Sequence, residues 1–151
     1  MDESVVKATL NRLIETNKDG QEGFRTASED VEDSSLKTLF NSLSQQRAEF
    51  AGELQDALVN IGEAQPEDKS SYTGSLHRAW INLKQALTSS DRQAILKECE
   101  RGENAAVQEY ENALNEALPA PVKTVVDKQH SEIKAARDRI KELREIAEAA
   151  E

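Results

Sequence analysis

Carboxylates and two histidines are the residues through which this sequence could bind a metal ion. Asp127 and His130 form an Asp-x-x-His pair, and residues three apart lie on the same face of a helix. Glu100 and Glu103, on an earlier predicted helix, would complete a ligand set with His130. One such pair arises easily by chance, and His130 lies beside an apolar stripe rather than at its centre. A structural role for His130 is therefore the favoured interpretation.

Neither the cysteine nor the glycines form a catalytic or phosphate-binding pattern. Cys99 is the single cysteine, so no intrachain disulfide can form, and its place on an apolar stripe predicts a packed thiol. The glycines do not form a phosphate-binding loop, and we expect Gly20, Gly23 and Gly102 to allow helices to approach closely. The sequence therefore predicts no enzyme and no cofactor.

Charge and hydropathy bear on the partners of the protein. Nineteen Lys and Arg against 29 Asp and Glu give a net charge of -10, which repels a nucleic-acid backbone and an anionic membrane surface. Nowhere do about 18 consecutive apolar residues occur, and no basic, apolar leader follows Met1. We expect one domain, residues 1–151, in the cytoplasm, with no nucleic-acid or membrane partner.

Apolar residues at steps of three and four predict two long helices in the first part of the chain, at about 3–31 and 34–62. The first stripe consists of Val6, Leu10, Leu13, Asn17, Gly20, Phe24, Ala27 and Val31. The second consists of Leu36, Leu39, Phe40, Leu43, Arg47, Phe50, Leu54, Leu58 and Ile61. The turn between them is so short that the helices must be antiparallel.

A long crossover, residues 63–90, is predicted before two further helices at about 91–117 and 120–148. Glycine, proline and serine interrupt the helical pattern there, but an amphipathic stretch at about 75–87 predicts a short helix that packs on the outside through Trp80. Pro119 and Pro121 end the third helix and fit the first turn of the fourth. The predicted fold is all-α: an antiparallel four-helix bundle with one long crossover.

A polar residue interrupts each stripe near its middle. Asn17, Arg47, Glu103 and Gln129 fall at similar heights when helix lengths are counted at roughly 1.5 Å per residue, with His130 at their edge. We predict that they form a polar layer in which Arg47 and Glu103 pair, because an isolated buried charge is costly. The alternative is that both side chains extend to solvent.

Four helices, a long crossover and polar residues at mid-bundle resemble the ferritin-like fold. Metal pairs in that superfamily use a Glu from each of two helices and Glu-x-x-His from each of the other two. Here Asn17 stands where a Glu is expected seven residues before Phe24, and Arg47 and Phe50 stand where Glu-x-x-His is expected. The resemblance therefore implies the fold together with a degenerate metal site.

The chain also resembles a bacterial family of about this length, known as a domain of unknown function and described as ferritin-like four-helix bundles. The segments that carry the likeness are residues 13–20 with Gly23-Phe24, residues 74–80, residues 95–103 and residues 138–144. Such sequences commonly carry His-Asp near the end, whereas Arg137 precedes Asp138 here. The resemblance implies a fold and no particular activity.

These observations favour a non-catalytic structural or interaction protein. The alternative is a ferritin-like protein that binds iron or another divalent metal through Glu100, Glu103 and His130. A further hypothesis is a homo-oligomer, or a module that binds a protein partner, in which the crossover helix around Trp80 makes the contact.

Overall fold

The helices of the computed structural model follow the apolar stripes of the sequence. Residues 3–62 and 80–150 are described. They form α1 (Glu3–Asp30), α2 (Ser34–Asn60), α3 (Leu83–Ser89), α4 (Arg92–Leu114) and α5 (Ala120–Ala149). No strand occurs in these two ranges, so the prediction of an all-α fold is confirmed.

Side-chain caps set where α2 and α4 begin. The carboxylate of Asp33 accepts the backbone N–H groups of Ser35 and Leu36, and Asp91 does the same for the first turn of α4. The residue before Asp91, Ser90, has a φ of 57° and ends α3. Helix α4 ends at Leu114, whereas the predicted helix extended to residue 117; a turn follows Leu114 before Pro119.

The described part of the crossover, residues 80–90, contains one short helix. Helix α3 covers Leu83–Ser89, whereas the sequence pattern predicted 75–87; residues 75–79 lie outside the described part of the chain. Trp80 is in the turn before α3, and its carbonyl accepts the N–H of Leu83 at 3.1 Å. Buried Leu83, Ala86 and Leu87 attach α3 to the core. The prediction that Trp80 is part of this helix is wrong, because Trp80 lies in the preceding turn.

The long helices form two antiparallel pairs, α1 with α2 and α4 with α5. Helix α1 also packs against α4, and α2 against α5, which leaves α2 and α4 at opposite corners. An ion pair between Asp33 and Arg92 places the first residues of α2 and α4 at the same end of the bundle, so these two helices are parallel. This arrangement is compatible with a ferritin-like bundle that has one long crossover.

Two separate apolar clusters fill the bundle, one toward each end. The first includes Leu10, Leu54 and Val126, and the second includes Phe40, Leu96 and Ile140. The clusters separate where the stripes become polar, near Arg47 and Glu103. Within residues 3–62 and 80–150, every helix is too short or too polar to cross a lipid bilayer.

Candidate functional site: the polar centre of the bundle

Arg47 and Glu103 form an ion pair across the centre of the bundle. They project from α2 and α4, the two helices at opposite corners. The guanidinium is bidentate: Nη1 is 2.5 Å from Oε1 of Glu103, and Nη2 is 2.6 Å from Oε2. The side chains are 1% and 0% exposed, so the structure places both inside the bundle rather than in solvent. Both carboxylate oxygens of Glu103 are thereby engaged.

Further contacts hold the guanidinium of Arg47. Its Nε donates to Oε1 of Gln46 at 3.1 Å, and its Cζ lies 5.4 Å from the centroid of the Phe24 ring. A cation over an aromatic face is attracted by the ring quadrupole, and more strongly where water is excluded. These contacts offset part of the cost of removing the charge from water.

The other two residues of the predicted layer belong to a chain of hydrogen bonds around Tyr110. Asn17 Nδ2 donates to the Tyr110 hydroxyl at 2.7 Å, and that hydroxyl donates to Gln129 Oε1 at 2.6 Å. Gln129 Nε2 then donates to Glu53 Oε1 at 2.8 Å and to the Phe50 carbonyl at 3.2 Å. The predicted layer therefore has two parts, an ion pair and a hydrogen-bonded chain that joins α1, α4, α5 and α2.

Tyr110 is the member of this centre that the sequence analysis did not include in the polar layer. A phenol on a buried stripe position must find a hydrogen-bond partner for its hydroxyl, and that requirement was the signal available in the sequence. Burial raises the pKa of Tyr110, an effect larger than the opposing one of the hydrogen bond from Asn17. The hydroxyl therefore stays protonated and acts as a neutral donor and acceptor.

Cys99 is completely buried on α4. Burial raises the pKa of its thiol, and the negative charges of Glu103 and Glu98 raise it further. The thiolate is the reactive form of cysteine, and here it is strongly disfavoured. Cys99 therefore has the environment of a packed thiol.

The structure does not bring the candidate metal ligands together. Glu100 pairs with Arg144 of α5, and Glu103 pairs with Arg47. His130 stacks on Tyr110, with ring centroids 6.4 Å apart, and its Nε2 lies 3.7 Å from Oε2 of Glu111. In the part of the chain that the structure describes, no three His, Cys, Asp or Glu side chains are arranged to hold a metal ion.

Gly23 and Gly102 have a role different from the close helix approach expected of them. The indole of Trp80 lies between α1 and α4, and a Cβ added to either glycine would overlap its ring. The indole also meets the Phe24 ring edge to face, with centroids 5.0 Å apart and an angle of 74° between the planes. Trp80 is thus connected through Phe24 to the Arg47 guanidinium.

Comparison with known proteins places the chain in a family. None of the curated proteins matches it. One family profile matches residues 5–116, a range that extends from α1 to just beyond α4 and includes Asn17, Arg47, Glu103 and Tyr110. The resemblance noted from the sequence is confirmed to this extent. The chain belongs to the family described as Domain of unknown function (DUF2383).

Proposed function

We propose that the protein is a ferritin-like bundle in which an ion pair replaces the metal centre, and that it acts as a structural or interaction protein rather than as an enzyme. The buried, bidentate pair of Arg47 and Glu103 is the observation that carries this proposal. Carboxylate-bridged metal centres need several acidic side chains that project into one cavity. Here the positive charge of Arg47 lies beside the buried carboxylate of Glu103.

The other central residues support the same proposal. Asn17, Tyr110 and Gln129 are neutral and bond to one another, so they contribute no charge to offset that of a cation. Polar groups that hydrogen-bond one another across a core favour one arrangement of the helices; Nδ2 of Asn17 takes part in this network, whereas its buried Oδ1 has no hydrogen-bond partner. The contacts of Asn17 and Gln129 join the pair α1–α2 to the pair α4–α5. Residues with a structural role are expected to hold the two helix pairs together in this way.

Metal content tests the proposal. The untagged protein is equilibrated separately with iron, zinc and manganese, freed of excess metal, and measured by elemental analysis. We expect no stoichiometric metal in the wild-type protein. A stoichiometric ion that is lost in Glu103→Gln and retained in the surface control Glu22→Gln would overturn the proposal. Circular dichroism of each variant establishes that the bundle has folded.

The rival function is binding of iron or another divalent metal through Glu100, Glu103 and His130. The feature that favours it is His130, whose buried Nε2 has no hydrogen-bond partner and faces Glu111. If metal does bind, His130→Gln should abolish binding and Arg144→Met, which releases Glu100, should strengthen it. Failure of both changes to alter a measured affinity would place the metal elsewhere.

The interaction role includes contact through the crossover. Ile81, which follows Trp80, is 67% exposed, more than any other large apolar side chain in the described residues. A single exposed isoleucine is common on monomeric proteins and does not by itself mark an interface, so self-association has to be measured. Sedimentation at increasing concentration measures self-association, and Ile81→Asp should reduce it. A monomer at every concentration would exclude a homo-oligomer through this surface.

A further inference from the structure

The indole of Trp80 lies against glycines of two different helices, in a space that we call the slot. A Cβ added to Gly23 of α1 would overlap the Cε3 side of the ring, and one added to Gly102 of α4 would overlap its Cε2 side. Glycine inside a helix is destabilising relative to alanine, because it increases the conformational freedom that folding must remove. The absence of side chains at these two positions leaves the space that the ring occupies.

The slot leads to the central ion pair. A cavity of about 10 Å³ adjoins the slot and is lined by both Arg47 and Trp80. Its walls are otherwise formed mostly by small residues of α1 and α4, among them Gly20, Gly102 and Ala106. A space of this size is at the lower limit for one water molecule. Trp80 thus lies between the guanidinium and solvent.

The chain that follows Trp80 is attached to the bundle independently of the indole. Trp80 is in a turn and is only partly buried. Helix α3, which follows, is attached to the core independently by Leu83, Ala86 and Leu87. A rotation of the Trp80 side chain would therefore empty the slot without detaching α3.

We propose that Trp80 is a latch that controls access of water to the Arg47–Glu103 ion pair. With the indole against Gly23 and Gly102, the slot is closed and bulk water does not reach the pair. With the indole outside, α1 and α4 are separated by an open slot that ends at the guanidinium. The latch is a property of the fold, and it does not depend on whether the bundle binds a metal or a partner.

Trp80 is the single tryptophan of the chain, so its fluorescence reports the latch directly. Gly23→Ala and Gly102→Ala each place a methyl group where the ring lies. We expect both to shift the emission to longer wavelength and to raise the acrylamide quenching constant roughly threefold, because a partly buried ring becomes exposed. Gly52→Ala is the matched control, since nothing lies within 4 Å of the added Cβ. It should change neither signal.

Exchange of the Arg47 guanidinium protons with solvent provides a second, independent measurement. It is followed by NMR in protein labelled at arginine. Trp80→Ala should accelerate this exchange by roughly tenfold or more, because local opening governs exchange at buried groups. Trp80→Phe, which still places a ring in the slot, should restore most of the protection.

Two results would overturn the latch. One is unchanged emission and quenching in folded Gly23→Ala and Gly102→Ala proteins. The other is guanidinium exchange in Trp80→Ala as slow as in the wild type. If circular dichroism shows that a glycine variant has not folded, the exchange measurement on the tryptophan variants decides whether the latch proposal stands.

Discussion

Arg47 and Glu103 meet across the diagonal of the bundle, from helices that otherwise do not pack against each other. Helix α2 packs on α1 and α5, and α4 packs on α1 and α5, so only long side chains can connect the two corners. A bidentate guanidinium–carboxylate contact has a narrow geometry. The pair therefore constrains the height of α2 relative to α4 as well as neutralising two buried charges.

The first prediction concerns this pair. Arg47→Met should lower the free energy of unfolding by about 3–5 kcal/mol, because Glu103 is left buried without its partner. The double variant Arg47→Met/Glu103→Leu should recover much of that loss. Urea unfolding followed by circular dichroism gives both values.

Arg25→Met is the matched control, because Arg25 makes its ion pairs with Glu22 and Glu29 on the surface of α1. Its unfolding midpoint should stay close to that of the wild type. Small and additive effects of the Arg47 and Glu103 changes would mean that the pair does not contribute in solution.

The second prediction concerns Tyr110. Tyr110→Phe keeps the ring but leaves the Gln129 carbonyl oxygen without its donor, and it removes one of the two acceptors of Asn17 Nδ2, which still donates to the Leu13 carbonyl. We expect a loss of about 1–3 kcal/mol in the free energy of unfolding, the usual cost of unpaired buried polar groups. Thr124→Val, which removes an exposed hydroxyl bonded within α5, should have little effect. Equal stability of Tyr110→Phe and wild type would contradict the hydrogen-bonded chain.

The third prediction concerns pH. The Ser35 hydroxyl, the Leu36 N–H and Arg92 lower the pKa of Asp33 below its ordinary value. A carboxyl whose pKa is lower in the folded state stabilises the fold above its unfolded pKa, and this contribution is lost as pH falls through the folded pKa. Asp33→Ala should therefore cost about 1 kcal/mol at neutral pH.

The difference in stability between Asp33→Ala and wild type should disappear in acid, as the carboxyl of the wild type becomes protonated. Thermal unfolding at a series of pH values measures it. Glu32→Ala, next to the cap and exposed, serves as the control. A difference that persists at the lowest pH would show that the carboxylate charge is not what stabilises the start of α2.

The fourth prediction concerns Cys99. Because burial raises the pKa of the thiol, a thiol-specific reagent should react with the native protein only through opening of the bundle. The labelling rate should rise in proportion to the unfolded population as urea is added. Ser35→Cys in a Cys99→Ala background provides an exposed thiol for comparison. If Cys99 in the absence of urea were labelled as fast as the exposed thiol of the Ser35→Cys variant, its burial would be contradicted.

Periodicity in the sequence was sufficient to predict the four long helices and the depth of the polar residues, but not where the short helix of the crossover begins. An apolar repeat of three and four assigns each residue to a face and a height, so Asn17, Arg47, Glu103 and Gln129 could be predicted to lie inside at mid-bundle. The pairing of Arg47 with Glu103 could be argued as well, because a buried charge needs a counter-charge. These inferences use only local geometry and the cost of burying polar groups.

The tertiary structure decided what lies opposite each residue. A face and a height do not determine the neighbour across a bundle, because that depends on which helices share an edge or a diagonal. Tyr110 therefore joined Asn17 to Gln129, and Glu100 and His130 were placed with partners other than Glu103.

The position of Trp80 was also decided only by the tertiary structure. Its slot exists because Gly23 of α1 and Gly102 of α4 both lie against one ring. The two glycines are far apart in sequence, and a helical repeat alone gives no reason to connect them. The sequence by itself determined four amphipathic helices with a polar middle; the packing of those helices, in which distant small residues and charges meet, determined the ion pair and the slot.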